Sequence, residues 1–435
     1  MKKKKIKQLL TRFTLGLALL LPVVHASQVR ADAPYDAPAK AAIAIDPDSG
    51  KILYAKNADE PMGIASTTKL ITAYMTLDAI KKGTLHWEDK VEMSEYAYAL
   101  TLDPQASNIA VKDPTEAFSI QDLFNAAMIQ SANSAAITLA EKIGGSEPKF
   151  VDMMKTQLAF WGITDAKLVN ASGLNNSVLG QNIYPGSSET DENMLSAKDL
   201  AIISQHLIRD FPEVLEVTKQ GTALFDKDGA SKQVIATYNY MLIGQPAVRT
   251  GVDGLKTGTT EFAGACFVGT TVQNSFRIIT VVLNADNAET DDYARFTATN
   301  DLMNEVYGNW QAKPIATKGV KMENPDAPTK LTVNDGKQNS VNVLPADDFT
   351  TVVPMGDSDT TTTITFNKKQ EAPVTAPIEK NQKLVKVNFQ IKDKLGYLPS
   401  SDGNTFYLTA TKSVPRSNAV KVMWNHFVRF VNDKL

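Results

Sequence analysis

The stretch AGACFVGTTV-QNS-FRIITVVL, residues 263–283, decides the fold of this chain of 435 residues. Residues 263–272 and 276–283 are two apolar runs rich in β-branched side chains, which is the composition of buried strands. The short polar triplet between the runs predicts a hairpin turn. This part of the chain therefore predicts two adjacent antiparallel strands.

A second hairpin is predicted far upstream, where residues 41–46 and 51–56 flank a Pro-Asp-Ser-Gly turn signal. Helical patterns lie between the two hairpins, at residues 66–82 and at residues 120–130, where Ser119 predicts a capped helix start. Strands at both ends with helices between them predict an α/β (α+β) domain. Its antiparallel sheet is assembled from both ends of the domain, and the helices form an insert.

The first residues of the chain have the pattern of an export signal. Residues 2–12 are strongly basic, and residues 13–24 form an apolar run that is too short to span a bilayer. We therefore expect a signal peptide over residues 1–26, with cleavage at residue 33 as the alternative, and an exported protein. An uncleaved membrane anchor is the other interpretation.

The composition changes after the mixed strand and helix patterns, which extend over residues 34–312. Residues 313–412 are rich in Thr, Val, Asn and Asp, and they carry strand patterns at 357–365 and 383–391. Helical patterns are absent from this part of the sequence. We therefore expect a small all-β C-terminal domain.

A helical pattern returns in residues 413–435. Apolar side chains form one stripe with 3-4 spacing, made of Val420, Met423, Trp424, Phe427, Val428 and Val431. A basic helix with Trp and Phe on one face is typical of the membrane interface. We expect an amphipathic membrane-anchor helix that contacts the membrane surface, and docking on the chain's own β domain is the alternative.

The composition excludes several classes of protein. Lys and Arg total 45 against 48 Asp and Glu, a net charge of −3, whereas a nucleic-acid-binding protein needs a basic face. The one cysteine, Cys266, excludes an intrachain disulfide and a cysteine-based zinc site. Only four histidines occur, which leaves few candidates for the base of a Ser-His-Asp triad. We expect no metal and no cofactor.

The first chemical motif is Ser66-Thr67-Thr68-Lys69, at the start of a predicted helix. A serine hydroxyl is a weak nucleophile unless a base takes its proton, and residues i and i+3 of a helix share a face, so Lys69 can act on Ser66. The alternative is an ordinary helix cap. A second Ser-x-x-Lys, at residues 146–149, contains a proline and follows two glycines. We expect that copy to be a loop without catalytic geometry.

The second motif is Ser131-Ala132-Asn133, between the helix predicted at 120–130 and a helical run over 134–143. A hydroxyl in this place can relay a proton to a leaving amine, and an amide can hold a substrate peptide bond. The alternative is an interhelical turn, where Ser and Asn are common.

The third motif is Lys256-Thr257-Gly258, which leads into the hairpin at 263–283. A cation and a hydroxyl on an edge strand can bind a substrate carboxylate, and the glycine lets a ligand approach the backbone. A near-copy at 249–251 runs into residues 251–254, which we predict to be a turn. A purely structural role is the alternative for this motif also.

The three motifs, in this order, resemble those of serine β-lactamases and penicillin-binding proteins. Residues 35–310 are similar to the low-molecular-mass penicillin-binding proteins that are D-alanyl-D-alanine carboxypeptidases, above all in IASTTK (64–69) and GVDGLKTG (251–258). That family commonly carries a β-rich C-terminal domain and an amphipathic anchor helix. One departure is Ala132, where glycine or aspartate is more usual.

The resemblance implies a penicillin-binding-protein/β-lactamase-like transpeptidase fold and a serine-type carboxypeptidase. Ser66, deprotonated by Lys69, would attack the carbonyl between the last two D-alanines of a peptidoglycan stem peptide. The backbone amides of Ser66 and Thr259 would form the oxyanion hole. Ser131 would pass a proton to the departing D-alanine, and Asn133 would orient the peptide.

The resemblance also implies how the terminal carboxylate is bound, by Lys256, Thr257, Gly258 and Thr259. Arg295 would add positive charge, with a surface ion pair as its alternative role. Lys69 would need a pKa lowered by burial and by Lys256 to act as a base. β-Lactam antibiotics, which mimic the terminal dipeptide, would acylate the serine. The implied location is the cell wall or the outer face of the bacterial cytoplasmic membrane.

Two other functions remain open from the sequence. A class A-like β-lactamase needs a glutamate that activates the deacylating water. Glu189 and Glu192 lie in a plausible region, but the residues around them give no convincing loop pattern. The other alternative is a non-catalytic cell-wall-binding protein, in which the motif residues are structural.

Overall fold

The computed structural model describes residues 34–104, 106–324, 326–356, 363–366, 373–399, 401 and 404–434. The predicted signal peptide, 1–26, lies outside the described residues, as does the alternative cleavage site at residue 33. The chain divides into two compact units, Met1–Asp36 and Ala37–Leu435. The fold described below is that of the second unit.

The centre of the fold is a five-stranded antiparallel sheet with the order β2-β1-β5-β4-β3. Its strands are β1 Ala39–Ile45, β2 Ile52–Lys56, β3 Val252–Thr260, β4 Gly264–Gln273 and β5 Phe276–Ala285. The hairpin predicted at 263–283 is β4–β5, and its turn residues Asn274 and Ser275 both have positive φ, which a tight two-residue hairpin turn requires. The predicted sheet from both ends of the domain is confirmed.

The edge strand β3 corrects one prediction. Residues 251–254 do not form a turn, because the strand already begins at Val252 and Gly254 pairs with Thr270 of β4. The carboxylate of Asp253 also binds Arg277 at 2.7 Å. Pairing with β4 thus outweighs the turn preference of the glycines.

Seven helices form the insert between β2 and β3 within the described residues: α1 Lys69–Lys81, α2 Glu95–Thr101, α3 Ile120–Ile129, α4 Asn133–Gly144, α5 Glu147–Phe160, α6 Ala197–Asp210 and α7 Val214–Thr218. Three short ribbons pair Met62–Gly63 with Met194–Leu195, Lys90–Glu92 with Ala117–Ser119, and Thr222–Phe225 with Gln233–Ala236. Single 3₁₀ turns occupy Ala65–Thr68 and Asn176–Val178. Ser119 caps α3 as predicted.

The second Ser-x-x-Lys, at residues 146–149, is not a loop. Ser146 is the N-cap of α5, and Pro148 lies in its first turn. A proline is tolerated there because the amides of the first turn have no intrahelical partner. The prediction of a loop was therefore wrong.

The two faces of the sheet pack on different partners. Cys266 and Val268 of β4 point into the core shared with the helical insert. The residue between them, Phe267, contacts Phe296 of α8 (Ala294–Asn309), with ring centroids 5.3 Å apart. This period-2 alternation is what allows both faces of the sheet to be covered.

The C-terminal β region begins after α8. Its strands are β6 Trp310–Ala316, β7 Lys330–Asn334, β8 Ser340–Pro345, β9 Phe349–Pro354, β10 Thr363–Phe366, β11 Val374–Thr375, β12 Lys383–Lys392 and β13 Thr405–Ala410. Six of them form a sheet with the order β10-β12-β13-β8-β7-β11, and β6 pairs with β9. Most of the strand predicted at 357–365 lies outside the described residues, whereas the one predicted at 383–391 is β12.

A buried lysine joins the β region to the main sheet. Lys51 is fully buried, and its Nζ donates to Asp393 and to the carbonyl of Gly396, both at 2.8 Å. The same amine lies 5.5 Å from the ring centroid of Trp310. Leu398, from the same loop of the β region, packs in the core of the helical insert.

The last helix, α9 (Ala419–Lys434), contacts the β region. Val422 is buried, and His426 and Arg429 bind the carboxylate of Asp335. The apolar side chains of the predicted stripe are largely exposed, at 78% for Val420, 73% for Met423, 64% for Trp424 and 58% for Phe427. Among the described residues, no helix is both long and apolar enough to cross a membrane.

Candidate active site

Ser66 lies on the 3₁₀ turn that leads into α1, not on the α-helix predicted for residues 66–82. In a 3₁₀ helix the residues i and i+3 are eclipsed, which aligns Ser66 with Lys69 more closely than an α-helix would. Ala65 has φ +46, so the turn begins in a conformation that is uncommon for a residue with a side chain. The Oγ1 of Thr67 donates to the carbonyl of Ile64 at 2.6 Å and closes the turn.

Lys69 is fully buried directly behind the serine. Its Nζ lies 3.0 Å from Ser66 Oγ, 2.7 Å from Asn133 Oδ1 and 2.7 Å from the carbonyl oxygen of Ser172. Burial, and secondly the positive charge of Lys256, hold the pKa of Lys69 well below the usual value for lysine. The lowered pKa makes this amine a better acceptor for the serine proton than an ordinary lysine.

The second motif bridges the end of α3 and the start of α4. Ser131 has φ +60, and its side chain lines the cavity in front of Ser66. Asn133 is the first residue of α4; its Oδ1 accepts from Lys69, and its Nδ2 donates to the carbonyl of Ser107 at 3.0 Å. The junction is an interhelical turn, and it also brings Asn133 to the lysine and Ser131 to the cavity that Ser66 lines.

The third motif lies on the edge strand β3. Lys256 is buried, and burial, followed by the charge of Arg295, lowers its pKa to about 7. Thr257, Gly258 and Thr259 line the cavity. The structure explains why residue 258 is a glycine: a Cβ there would lie 2.8 Å from the carbonyl oxygen of Ile64 and 3.1 Å from the Ser66 amide nitrogen. Only glycine lets β3 pass this close to the serine turn.

Arg295, in the first turn of α8, lies at the end of the cavity. It donates to the carbonyl of Gly258 at 2.7 Å, to the Oγ1 of Thr259 at 2.7 Å and to the carbonyl of Cys266 at 3.2 Å. Its guanidinium is therefore anchored on the strands beside the third motif. This placement contradicts the alternative of a surface ion pair.

Six of the nine residues predicted for the site line one cavity of about 330 Å³, namely Ser66, Ser131, Thr257, Gly258, Thr259 and Arg295. Lys69 and Asn133 are hydrogen-bonded to each other behind Ser66, and Lys256 is buried on β3 next to Thr257. The sequence missed several of the side chains that line the cavity, among them Ser107, Tyr238, Tyr240, Asp292 and Tyr293. They come from loops and from the start of α8, and no spacing pattern connects them with the three motifs.

The sequence also missed a turn that packs behind the nucleophile, residues 170–173. The carbonyl of Ser172 accepts from Lys69, and the carbonyl of Ala171 accepts from Thr72 at 2.7 Å. A Cβ on Gly173, which has φ +85, would lie 1.9 Å from the carbonyl oxygen of Ala65. The cluster of Asn, Ser and Gly in this stretch signals a turn, but nothing in the sequence connects it with Ser66.

The glutamates considered for a β-lactamase lie elsewhere. Glu192 accepts from Thr260 Oγ1 at 2.7 Å and from Asn175 Nδ2 at 3.0 Å. Glu189 is exposed. Among the hydrogen bonds of the described residues, neither carboxylate is bonded to Ser66 or Lys69.

A serine next to a buried lysine with a lowered pKa, beside an edge strand that carries a lysine, is an arrangement that suits a serine hydrolase. The family model of D-alanyl-D-alanine carboxypeptidases matches residues 27–287, and the model of the penicillin-binding protein 5 C-terminal domain matches residues 310–416. The chain belongs to the family of serine-type D-alanyl-D-alanine carboxypeptidases. The resemblance drawn from the three motifs is confirmed.

Individual relatives agree with the family. The D-alanyl-D-alanine carboxypeptidase DacC of Escherichia coli is 30% identical over 383 residues, which cover 87% of this chain and 86% of the relative. The crystal structure of a peptidoglycan synthesis regulatory factor (PBP3) from Streptococcus pneumoniae is 40% identical, covers 87% of this chain and 100% of its own, and has a TM-score of 0.76. Penicillin-binding protein D2 from Listeria monocytogenes, solved in its ampicillin-bound form, is 32% identical, covers 63% of this chain and 99% of its own, and has a TM-score of 0.52.

Proposed function

We propose that Ser66 is the nucleophile that removes the terminal D-alanine from peptidoglycan stem pentapeptides. The observation that carries the proposal is the 3.0 Å separation between Ser66 Oγ and the buried, pKa-lowered amine of Lys69. Lys69 takes the hydroxyl proton as Ser66 attacks the carbonyl between the last two D-alanines. The backbone amides of Ser66 and Thr259 stabilise the oxyanion that forms.

The tetrahedral intermediate then collapses to an acyl-enzyme. Ser131 donates its proton to the nitrogen of the departing D-alanine as the C–N bond breaks, and it takes back the proton that Lys69 removed from Ser66, so that Lys69 is neutral again. Asn133 orients the peptide in this scheme. A water molecule, deprotonated by Lys69, attacks the acyl-enzyme ester and regenerates the Ser66 hydroxyl.

The terminal carboxylate of the substrate is bound by β3 and Arg295. Thr257, Gly258 and Thr259 present hydroxyl and backbone donors along the edge strand, and Lys256 and Arg295 supply positive charge. Charge-assisted hydrogen bonds to a carboxylate are among the strongest that proteins make. This arrangement favours a substrate that ends in a free carboxylate.

β-Lactam antibiotics carry a carboxylate and a reactive amide in a similar arrangement. Penicillin-binding protein D2 from Listeria monocytogenes was solved with ampicillin and with cefotaxime bound. We expect penicillin to acylate Ser66 in this chain and to leave slowly, because no glutamate within the described residues is hydrogen-bonded to Ser66 or Lys69.

Incubation of the purified protein with a stem pentapeptide tests the proposal. D-Alanine release by the wild type and its loss in Ser66→Ala are expected. Equal behaviour of the two proteins would favour the non-catalytic cell-wall-binding alternative. Rapid turnover of penicillin without peptide cleavage would favour a β-lactamase.

We also propose that the protein is exported through its signal peptide and acts in the cell wall, at the outer face of the cytoplasmic membrane. The exposed apolar face of α9, with Trp424 and Phe427, suits the membrane interface. Deletion of residues 413–435 should move the protein from the membrane fraction to the soluble fraction. Continued pelleting with membranes after the deletion would contradict this role for α9.

A further inference from the structure

A buried carboxylate outside the three motifs lies close to the serine turn. Glu147, the first residue of α5, is only 4% exposed, whereas glutamate is seldom buried without partners. Its carboxylate accepts from the backbone amide of Ala171 at 2.9 Å and from the hydroxyl of Tyr96 at 3.0 Å. The proposed mechanism gives this group no task.

The amide that Glu147 holds belongs to the turn 170–173, which supports the base. The carbonyl of Ala171 accepts from Thr72, one helical turn after Lys69. The next carbonyl, of Ser172, is one of three acceptors around the lysine amine. A displacement of Ala171 would therefore be transmitted to the lysine through a single peptide unit.

We propose that Glu147 is a positioning residue of the active site: its hydrogen bond to Ala171 fixes the turn 170–173, which fixes the amine of Lys69 against Ser66. This inference rests on the proposed function and deepens it. The effect passes through the backbone, so the position needs a hydrogen-bond acceptor rather than a charge. A glutamine provides that acceptor, and an alanine does not.

The test compares Glu147→Ala with Glu147→Gln in the full chain. The readout is the rate constant for acylation by benzylpenicillin, per folded molecule, across the pH range. Glu147→Ala should lower it about 10- to 100-fold, as small misplacements of catalytic groups do. Glu147→Gln should stay close to the wild type.

The pH profile separates positioning from a charge effect. A loosened Ser172 carbonyl stabilises the ammonium form of Lys69 less, so the acid limb of acylation should move to lower pH in Glu147→Ala alone. Lys69 and Glu147 have the same charged or titratable neighbours in both variants, namely Lys256, Tyr96 and Glu141. The same shift in Glu147→Gln would assign the effect to charge and overturn the inference.

Two further variants keep the test decisive. Asp199→Asn changes a buried capping carboxylate on α6 whose hydrogen bonds go to Ser196 and not to the turn 170–173; it should lower the melting temperature without changing acylation per folded molecule. Thr72→Val removes the second tether of Ala171 if Glu147→Ala fails to fold, and should slow acylation in the same direction. Wild-type rates in Glu147→Ala, or in Thr72→Val, would overturn the inference. A wild type that neither reacts with penicillin nor releases D-alanine would instead overturn the proposed function.

Discussion

At the scale of single residues, the site contains a series of cations in which each lowers the pKa of the next. Burial and the charge of Arg295 lower the pKa of Lys256 to about 7, and burial and the charge of Lys256 lower the pKa of Lys69. An amine accepts a proton only in its neutral form, so these shifts suit the role of base that we propose for Lys69. In the proposed mechanism the same charges attract the substrate carboxylate, so catalysis and recognition would share them.

The pH dependence of acylation should report this coupling. In Lys256→Gln one of the two causes that lower the pKa of Lys69 is removed, so that pKa rises. More of the lysine is then protonated at a given pH, and the acid limb of penicillin acylation should move to higher pH. Lys256→Arg keeps the charge and should leave the limb where it is. An acid limb at the wild-type pH in Lys256→Gln would show that the charge of Lys256 does not lower the pKa of Lys69.

Asp46 gives a pH-dependent prediction about stability. Burial raises its pKa to about 6 from 3.8, so the folded state favours the protonated form. The unfolded chain ionises at lower pH, and this residue therefore costs stability as the pH rises from about 4 to 6. Asp46→Asn should raise the free energy of unfolding by about 2–3 kcal/mol at pH 7. Urea unfolding should show that this gain in the free energy of unfolding vanishes near pH 4. A gain that persists at pH 4 would refute the raised pKa of Asp46 as its cause.

At the scale of elements, the site depends on the close approach of β3 to the serine turn. In Gly258→Ala the new Cβ would lie 2.8 Å from the carbonyl of Ile64 and must push the two elements apart. We expect a loss of about 1–3 kcal/mol in stability and a marked loss of acylation. Gly308→Ala, in α8 with open space around it, should instead add about 1 kcal/mol. Acylation at the wild-type rate in Gly258→Ala would show that the approach is not needed.

The elements that the sequence predicted are those with local signals. The hairpin turn Asn274-Ser275 and the Ser119 cap follow from the residues beside them, and the i to i+3 spacing of Ser66 and Lys69 needs one helical turn. The turn 170–173 could not be found in this way, because its contacts with α1 run through backbone carbonyls about 100 residues along the chain. Backbone acceptors leave no trace in residue identity.

At the scale of the whole molecule, the β region is attached to the main sheet by an ion pair between the buried Lys51 and the partly exposed Asp393. Lys51 is fully buried, and burial lowers its pKa, while Asp393 raises it. Asp393 also accepts from the amides of Leu395 and Gly396, so it shapes the loop that delivers Leu398 to the core of the helical insert. A change in this ion pair should therefore alter the stability of the part of the molecule that carries Ser66.

Asp393→Asn removes the charge but keeps an acceptor for the loop amides. It leaves Lys51 buried without a counter-charge, which should cost about 3–5 kcal/mol. Asp347→Asn, in an exposed pair with Lys383 at 3.1 Å, should cost less than about 1 kcal/mol. Penicillin labelling at increasing urea concentrations measures the loss of stability in the part of the molecule that carries Ser66. A lower urea midpoint for Asp393→Asn, partly recovered in Lys51→Met/Asp393→Asn, would show that the β region and the part that carries Ser66 unfold together. Equal urea midpoints for Asp393→Asn and Asp347→Asn would mean that the β region is attached without stabilising the site.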